Sequence, residues 1–330
     1  MTKIRFGILG AARIAPVAMV KPAAEESEAE VTAVAARDLE RARRFAAKHK
    51  LSTAYGSYAQ LIADPSIDAV YIAVPNGLHG RWTKAALDAG KHVLCEKPFT
   101  ANAEEAASVA EAARQSGLVV MEAFHYRYHA LTGRMLEILG SGELGTITKM
   151  EAWLCFPLVP PNNVRWDYQL AGGALMDAGC YTIHLLRTLA GAEPVVSSAT
   201  AKTRRTAVDR LLKAELAFPG GCTGLITASM LSREVLGAGA RVNGTHGTME
   251  VLNPYQPQLI HRLVVHSDTR RAVERVPRQP STYASQLRAF TGAVLRGEPV
   301  LTGSDDAVAN MAVIDACYAA AGLPRREPTR

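Results

Sequence analysis

The sequence lacks the features that usually mark membrane, secreted and metal-binding proteins. No stretch reaches the roughly 18 uninterrupted apolar residues that a membrane-spanning helix needs. The amino terminus, MTKIRFGILG, has neither the apolar core nor the cleavage site of a secretory signal. The five cysteines form no CxxC pair or metal-like cluster, and we expect Cys95 and Cys180 to be buried core thiols. We therefore expect a cytoplasmic protein with reduced thiols, no membrane association and no bound metal.

Basic residues are in slight excess, since Lys and Arg total 37 against 31 Asp and Glu, but they do not cluster. The arginine pairs stand far apart and are interrupted by acidic residues. There is no recognition-helix or zinc-finger spacing. The charge pattern therefore predicts a solvated surface rather than a nucleic-acid interface, with single arginines left to bind phosphate groups.

The first 125 residues alternate between apolar runs and alanine-rich amphipathic stretches. The amphipathic stretches, 39–50, 79–90 and 103–117, have helical spacing. The apolar runs that predict buried strands are IRFGIL (4–9), VTAVAA (31–36), DAVYIAV (68–74), KHVLCE (91–96) and LVVMEA (118–123). This alternation predicts a doubly wound parallel sheet with helices on both faces.

The pattern changes after about residue 125. The predicted elements are helices over 130–140 and 174–190, alternating strands from about 195 to 266, and closing helices over 282–296 and 304–322. Turn pairs such as Pro219–Gly220 favour a large, mostly antiparallel open sheet. We therefore divide the chain into an N-terminal α/β domain (1–125) and a C-terminal α/β domain (126–330), and we expect residues 325–330 to fray.

Residues 7–15, GILGAARIA, lie between the first predicted strand and a helix. A dinucleotide-binding turn has the pattern G-x-G-x-x-G or ends in alanine, and here Ala12 replaces the second glycine after Gly10. Small residues let a pyrophosphate approach the backbone and the first N–H groups of the helix, and Ala12 adds one methyl group at the closest point. The alternative is a turn of small residues that only allows strand and helix to pack tightly.

The second predicted strand runs into AARDLERAR, where an enzyme that selects NAD usually places a carboxylate. Here Arg37 stands at the strand tip and Arg41 lies one helical turn further on. A guanidinium matches a 2′-phosphate in fork geometry, so NADP is the preferred cofactor, with NAD possible. In the alternative, Arg37 faces solvent and Asp38 is simply a helix N-cap.

Two further strand ends carry polar residues. VPNGLHG (74–80) places Pro75 and Asn76 at the edge where ligands bind in open α/β folds, and His79 is either a neighbour of the nicotinamide or substrate or a surface histidine. In CEKPF (95–99), a cleft that partly desolvates Lys97 would lower the pKa of its ammonium and let it donate to a substrate oxygen. A cis Lys97–Pro98 bond would aim the ammonium inward, with Glu96 as its partner. The alternative is a plain surface Glu–Lys pair.

The segment LAGGALMDAGCYTIH (170–184) combines a glycine turn with a predicted helix. Asp177, Tyr181 and His184 fall at spacings of four and three, which puts them on one helix face. A tyrosine needs a neighbouring cation to move protons near neutral pH, since its free pKa is about 10, and Lys97 is the natural candidate. In the alternative, Tyr181 and His184 are hydrogen-bonded core residues.

These segments together resemble the glucose-fructose oxidoreductase/inositol dehydrogenase family, usually written Gfo/Idh/MocA. Its motifs match GILGAARIA, AARD, VPNGLH, CEKPF, EAFHYRYH (122–129), NVRWDYQLAGGALMDAGCYTIH (163–184) and GSDDAVANMAVIDACYAAAGL (303–323). The resemblance implies a Rossmann domain that binds NAD(P) and a C-terminal domain whose open sheet builds homodimers or homotetramers. It also implies hydride transfer at a hydroxyl-bearing carbon of a sugar, a cyclitol or a related diol.

The resemblance also implies residue roles. Lys97 matches the catalytic lysine of the family, and Asp177 matches its active-site aspartate. Four residues later the inositol dehydrogenases have histidine, whereas the dimeric dihydrodiol, xylose and glucose-fructose enzymes have tyrosine. Tyr181 therefore indicates the second branch, with proton transfer through its phenol assisted by Lys97.

Arg165 and Trp166 match a loop that in the family approaches the nicotinamide and the substrate, and Arg127 is expected in the same cleft. The residues expected to bind the cofactor are Gly10, Ala11, Ala12, Arg13, Ile14, Arg37, Arg41, Ala73, Pro75, Asn76, His79, Glu96, Lys97, Arg165 and Trp166. Those expected to bind substrate are Lys97, Arg127, Asp177, Tyr181 and His184, of which Lys97, Asp177 and Tyr181 are expected to be catalytic.

Two other functions fit the same fold. A regulator could bind the cofactor without turnover, although it would have no chemical need for Lys97, Asp177 and Tyr181 together. A redox-neutral elimination or hydrolysis could use Lys97 and His184 as acid and base, with tightly held NAD acting transiently.

Overall fold

The computed structural model describes residues 3–158, 160, 162–204, 207–231, 237–277 and 279–329. The chain divides into two compact units, the first made of 1–127, 280–308 and 328–330 and the second of 128–279 and 309–327. We predicted from the sequence that both closing helices belong to the C-terminal domain. In the structure the helix over 282–296 packs in the first unit. There the ring of Phe290 lies 5.5 Å from the ring of Phe6. This contact joins distant parts of the chain and leaves no local signal.

The first unit contains a six-stranded parallel sheet. Its strands are β1 (Ile4–Leu9), β2 (Ala29–Ala35), β3 (Thr53–Tyr55), β4 (Ala69–Ile72), β5 (His92–Cys95) and β6 (Val120–Glu122), in the order β3-β2-β1-β4-β5-β6. All four residues of β4 are buried, as expected where helices cover both faces. Because the strands are parallel, their carboxyl ends meet at one edge, where ligands bind in this class of fold.

The second unit contains an eight-stranded sheet. Its strands are β7 (Ile147–Cys155), β8 (Val195–Thr203), β9 (Asp209–Ala217), β10 (Thr223–Ser229), β11 (Gly237–Gly244), β12 (Gly247–Leu252), β13 (Arg262–Ser267) and β14 (Arg271–Glu274). The order is β14-β13-β12-β11-β7-β10-β9-β8, and the neighbours are antiparallel except β7 and β10. The two sheets confirm the predicted fold class.

The α-helices of the described residues are α1 (Lys21–Glu25), α2 (Leu39–His49), α3 (Tyr58–Ile62), α4 (His79–Asp88), α5 (Ala103–Ser116), α6 (Ala130–Gly140), α7 (Cys180–Ala190), α8 (Thr282–Arg296) and α9 (Ser304–Ala320). Two π-helices, Pro16–Val20 and Leu175–Gly179, run directly into α1 and α7. Short 3₁₀ helices cover Asn76–Leu78, His125–Tyr128, Val164–Trp166, Tyr168–Leu170 and Pro219–Gly221. Within the described ranges, every helix is too short or too polar to cross a membrane.

The structure differs from the sequence prediction at short elements and at the C-terminus. The elements β3, α3 and β14 were not predicted, since three to five residues show no clear periodicity. The expected frayed tail is wrong: Arg326 is fully buried, and the Thr329 N–H donates to the Gly77 carbonyl at 2.8 Å. Residue 330 of that segment lies outside the described residues.

Candidate active site

The first candidate site lies at the carboxyl edge of the parallel sheet. Backbone hydrogen bonds of 2.9 Å continue the sheet beyond its strands, from Gly10 to Ala35, from Ala73 to Leu9 and from Glu96 to Ile72. Three segments predicted to bind the cofactor therefore lie side by side: the turn after β1, the segment after β4 and the segment after β5.

The turn after β1 is built around Gly10. Its φ of +105° favours glycine, and a Cβ atom there would stand 2.5 Å from the Ala73 carbonyl oxygen. The predicted residues Ala11, Ala12, Arg13 and Ile14 continue the turn towards the first π-helix. The Ala12 N–H donates to the Gly10 carbonyl at 2.7 Å. The turn is therefore tight, and the helix after it begins as a π-helix.

Gly10→Ala should lower the free energy of unfolding by about 1–3 kcal/mol, because it combines a strained φ with a clash against backbone. Gly117→Ala is the matched control, since Gly117 has a φ of +65° with open space where its Cβ would stand. That control should cost only about 1 kcal/mol. Urea unfolding measures the free energy of unfolding of both variants. Equal losses would show that the clash with the Ala73 carbonyl contributes nothing to the loss in Gly10→Ala.

Arg37 and Arg41 flank the start of α2, and both are exposed. Arg41 Nη2 donates to the Ala11 carbonyl at 2.9 Å, which places this guanidinium against the turn. Burial raises the pKa of the Tyr58 phenol, while the charges of Arg37 and Arg41 act in the opposite direction. Both cations therefore lie near one phenol. Asp38 is the N-cap of α2 and accepts from the Glu40 N–H at 2.9 Å.

His79 is fully buried at the start of α4, so the alternative of a surface histidine is wrong. Its Nδ1 lies 2.7 Å from the Pro98 carbonyl oxygen and its Nε2 lies 2.9 Å from the Val74 carbonyl oxygen. Burial lowers the pKa of the imidazole to about 4, so the ring is neutral near pH 7 and has one N–H to donate. His79 thus joins the segments after β4 and β5, and its contact with the cofactor or substrate stays a prediction.

Lys97 comes two residues after the end of β5, and the Lys97–Pro98 peptide is cis, as predicted. The Glu96 carboxylate accepts a hydrogen bond from the hydroxyl of Tyr71 at 2.5 Å. Tyr71 is fully buried in β4 and was not among the predicted residues. Cys95 is a buried thiol, as expected, and burial raises its pKa well above the usual value.

The second candidate site lies in the second unit, on the continuous helix formed by the π-helix Leu175–Gly179 and α7. Arg165 Nε lies 2.8 Å from Oδ1 of Asp177. Asp177 is buried, whereas Arg165 is partly exposed. The structure therefore brings together two residues that the sequence predicted from separate segments, and the guanidinium compensates the charge of the buried carboxylate.

Tyr181 and His184 follow in α7, and both are buried. The ring of Tyr181 packs against that of Tyr255, which was not predicted, with 5.5 Å between the centroids. The burial of His184 fits the alternative of a core histidine, and its contact with substrate stays a prediction. The expected α-helical spacing between Asp177 and Tyr181 is altered, since a π-helix bonds each residue to the fifth one along the chain.

A buried ion pair holds the turn before this helix. The Asp209 carboxylate accepts from the Leu175 N–H at 2.6 Å, from Arg326 Nη2 at 2.7 Å and from the Tyr318 hydroxyl at 3.0 Å. Arg326 Nε donates to the Gly172 carbonyl at 2.8 Å. Sequence reasoning missed Asp209 and Arg326, because neither belongs to a recognised motif and their contact joins distant parts of the chain.

A cavity of about 750 Å³ opens in the second unit beside the predicted loop. Trp166 and Arg204 both line it, and the Arg204 guanidinium lies 5.0 Å from the centre of the Trp166 ring. Trp166 Nε1 is buried and has no hydrogen-bond partner in the part of the chain that the structure describes. An indole N–H and a guanidinium are donors suited to a ligand with oxygen acceptors. Neither Asp177 nor Tyr181 lines this cavity.

The other predicted residues lie on short irregular elements. Pro75 and Asn76 begin the 3₁₀ helix after β4, and Arg127 is half-buried in the 3₁₀ helix His125–Tyr128. Among the described residues there is no group of three or more His, Cys, Asp or Glu side chains placed to hold a metal ion. The roles of the predicted residues in cofactor and substrate binding stay predictions.

Comparison with known proteins identifies the family. Residues 4–124 match the model described as the oxidoreductase family, NAD-binding Rossmann fold, of Gfo/Idh/MocA, and residues 133–250 match the Gfo/Idh/MocA C-terminal domain. D-xylose 1-dehydrogenase (NADP(+)) 2 of Haloferax volcanii is 40% identical over 320 residues, which cover 96% of this chain and 97% of that protein. Trans-1,2-dihydrobenzene-1,2-diol dehydrogenase of Mus musculus is 37% identical over 257 residues, which cover 77% of this chain and 76% of that protein.

A solved structure supports the same assignment over the whole chain. The crystal structure of a 3-ketoreductase from Actinomadura kijaniata in complex with NADP and TDP-benzene matches with a TM-score of 0.89 and 28% identity, covering 97% of this chain and 98% of that one. The xylose and dihydrodiol relatives confirm the branch that Tyr181 indicated. The chain therefore belongs to the Gfo/Idh/MocA oxidoreductase family and is a dehydrogenase or reductase with an NAD-binding Rossmann domain.

Proposed function

We propose that the protein transfers a hydride between NADP and a hydroxyl-bearing carbon of a sugar, a cyclitol or a related diol. The observation that carries the proposal is the alignment, at one sheet edge, of the Gly10 turn, Arg37 and Arg41 at the start of α2, and Lys97. The NADP named for the Haloferax volcanii relative and for the Actinomadura kijaniata structure supports the choice of cofactor.

The residues at this edge fit a dinucleotide phosphate. A Cβ atom at Gly10 would clash with the Ala73 carbonyl, so glycine lets the turn after β1 lie close to the segment after β4. Arg37 and Arg41 are exposed at the start of α2, and the charges of both act on the Tyr58 phenol; two such guanidinium groups suit a 2′-phosphate. NADP, when bound, accepts or supplies the hydride.

The proton is assigned to side chains of this chain. We assign its transfer to the Tyr181 hydroxyl, with the Lys97 ammonium favouring the ionised phenol, and this assignment rests on the family resemblance. Asp177 is held by Arg165, and this pairing orients its carboxyl group for a substrate hydroxyl. In alcohol oxidation the ionised Tyr181 phenolate accepts the proton of the substrate O–H, and in the reduction the Tyr181 phenol returns it.

Arg37→Ala and Arg41→Ala should each weaken NADPH binding about tenfold or more, the worth of one charge-assisted hydrogen bond, and leave NADH binding nearly unchanged. Nicotinamide fluorescence measures both cofactors. Arg43→Ala is the matched control, because Arg43 lies on the same helix but pairs with Glu40 at 2.6 Å. Equal losses of affinity for NADPH and NADH would indicate that the arginines stabilise the turn and do not bind the 2′-phosphate.

The function itself is tested by screening sugars, cyclitols and diols with NADP⁺, including D-xylose and trans-1,2-dihydrobenzene-1,2-diol. Formation of NADPH with one of these substrates is the expected result. Binding of NADPH without turnover on any of them would favour a regulator. Failure to bind NADPH or NADH would exclude both the oxidoreductase and the elimination that uses NAD transiently.

The proposal includes an assembly and a location. A homodimer or homotetramer built through the eight-stranded sheet is the assembly that the family resemblance implies. Light scattering measures the mass in solution, and a monomer at every concentration would contradict the assembly. The five free, buried cysteines support a reducing, cytoplasmic location, which fractionation of the source cells would test.

A further inference from the structure

Two fully buried side chains of the first unit hold the residues on either side of Lys97. Tyr71, in β4, donates its hydroxyl to Glu96 Oε1 at 2.5 Å. His79, at the start of α4, places Nδ1 2.7 Å from the carbonyl oxygen of Pro98. Glu96, before Lys97, is therefore hydrogen-bonded to β4, and Pro98, after Lys97, contacts the start of α4.

The second nitrogen of His79 links this turn to another predicted cofactor segment. Nε2 lies 2.9 Å from the carbonyl oxygen of Val74, directly before Pro75 and Asn76. Burial keeps the ring neutral, and the positive charge of Lys97 lowers its pKa further. The neutral ring carries one N–H, so it donates to one of the two carbonyls and lies against the other. In either tautomer the ring is placed between the ends of two strands.

We propose that Tyr71 and His79 are positioning residues for Lys97, a proposal that rests on the catalytic role given to Lys97 above. The contacts at the Glu96 side chain and the Pro98 carbonyl restrict the chain on both sides of Lys97, and so restrict where its ammonium can lie. A misplacement of about 1 Å can cost about 100-fold in rate. Side chains that fix this turn therefore contribute to turnover through the position of Lys97.

The chain offers matched variants for both residues. Tyr71→Phe removes only the hydroxyl, and Tyr55→Phe is its control, because the Tyr55 hydroxyl donates to Asp64 Oδ2 at 2.6 Å elsewhere in the same unit. For His79, asparagine places its amide nitrogen near Nδ1 and keeps a donor for Pro98. Glutamine places its amide nitrogen near Nε2. With the ring proton on Nδ1, the tautomer that the shorter contact to Pro98 indicates, His79→Gln loses the hydrogen bond to Pro98 and His79→Asn restores it.

The first readout is the reactivity of Lys97 itself in the full-length protein. Reductive methylation, located by peptide mass spectrometry, should be at least about threefold faster in Tyr71→Phe and His79→Gln, because a loosened turn exposes the half-buried ammonium. Tyr55→Phe and His79→Asn should match the wild type. This readout needs no turnover, so it stands even if the proposed function fails. Equal rates across all four variants would overturn the positioning role.

The second readout is turnover of NADP⁺ with D-xylose, or with the substrate that the screen identifies. At saturating NADP⁺, Tyr71→Phe and His79→Gln should lower kcat about tenfold and should not lower the residual rate of Lys97→Ala further. Tyr71→Phe should do so with little change in the KM for NADP⁺. If Lys97→Ala keeps the wild-type kcat, the proposed role of Lys97 fails. If Lys97→Ala loses turnover while both variants match their controls, the positioning role fails.

Discussion

Lys97→Ala and Tyr181→Phe should each lower kcat by about 100- to 10,000-fold, the contribution typical of a positioned proton-transfer group. Lys97→Ala removes the ammonium that is assigned to favour the ionised phenol. Tyr181→Phe removes only the hydroxyl and keeps the ring that packs against Tyr255. The measurement is the steady-state rate of NADPH formation with the substrate found in the screen, at saturating cofactor.

Two controls separate lost chemistry from lost structure. Both variants should still bind NADPH, measured by nicotinamide fluorescence, because the Gly10 turn, Arg37 and Arg41 stay in place. Lys97→Ala also loses an expected cofactor contact and should bind NADPH more weakly than Tyr181→Phe. Lys91→Ala is the matched lysine variant, since Lys91 precedes β5 at its other end and donates to the Asp64 and Ile67 carbonyls at 2.8 and 2.7 Å. It should lose stability and keep kcat. Turnover within about threefold of wild type in Lys97→Ala or Tyr181→Phe would contradict that residue's assignment.

The edge of the parallel sheet could be predicted because its signals are local. Each cofactor segment follows an apolar strand directly, and parallel strands bring those ends to one edge. The burial of His79 could not be predicted in this way. Its partners are the Val74 and Pro98 carbonyls, and backbone acceptors leave no residue-type signal in the sequence.

The second site was predicted only in part, for a related reason. The glycine turn and the spacing of Asp177 and Tyr181 predict a helix, but the same residues suit a π-turn as well as an α-turn. The pairing of Arg165 with Asp177 joins a loop to that helix, and the sequence shows the two segments without the contact. The prediction that residues 325–330 fray was wrong because their arginines, prolines and other charged residues are typical of solvent-exposed chain ends.

Arg326→Leu should lower the free energy of unfolding by about 3–5 kcal/mol, because it leaves the fully buried Asp209 carboxylate without its cation. The guanidinium also donates to the Gly172 carbonyl and lies 4.2 Å from the centre of the Tyr318 ring. Urea unfolding measures the loss. Arg325→Leu is the control, since Arg325 is exposed and pairs with Glu327, and it should stay within about 1 kcal/mol of wild type.

A double variant and a pH series identify the cause of that loss. Asp209→Asn combined with Arg326→Leu should recover most of the stability, because the amide oxygen still accepts the Leu175 N–H and no charge is buried. Burial raises the pKa of Asp209, and the Arg326 charge opposes this rise. Without Arg326 the pKa of the folded state rises further above that of the unfolded chain. The penalty of Arg326→Leu should therefore be largest at high pH and shrink as the carboxyl group protonates at lower pH.

The double variant should show no such pH dependence. A penalty of Arg326→Leu that does not change with pH would assign the loss of stability to packing of the guanidinium instead.

Arg326→Leu also tests how the C-terminal segment acts on the second site. Asp209 accepts from the N–H of Leu175, two residues before Asp177, so a loosened turn should disturb the Arg165–Asp177 pair. We therefore expect Arg326→Leu to lower kcat at temperatures where the protein is still folded. A wild-type kcat under those conditions would confine the ion pair to a stabilising role.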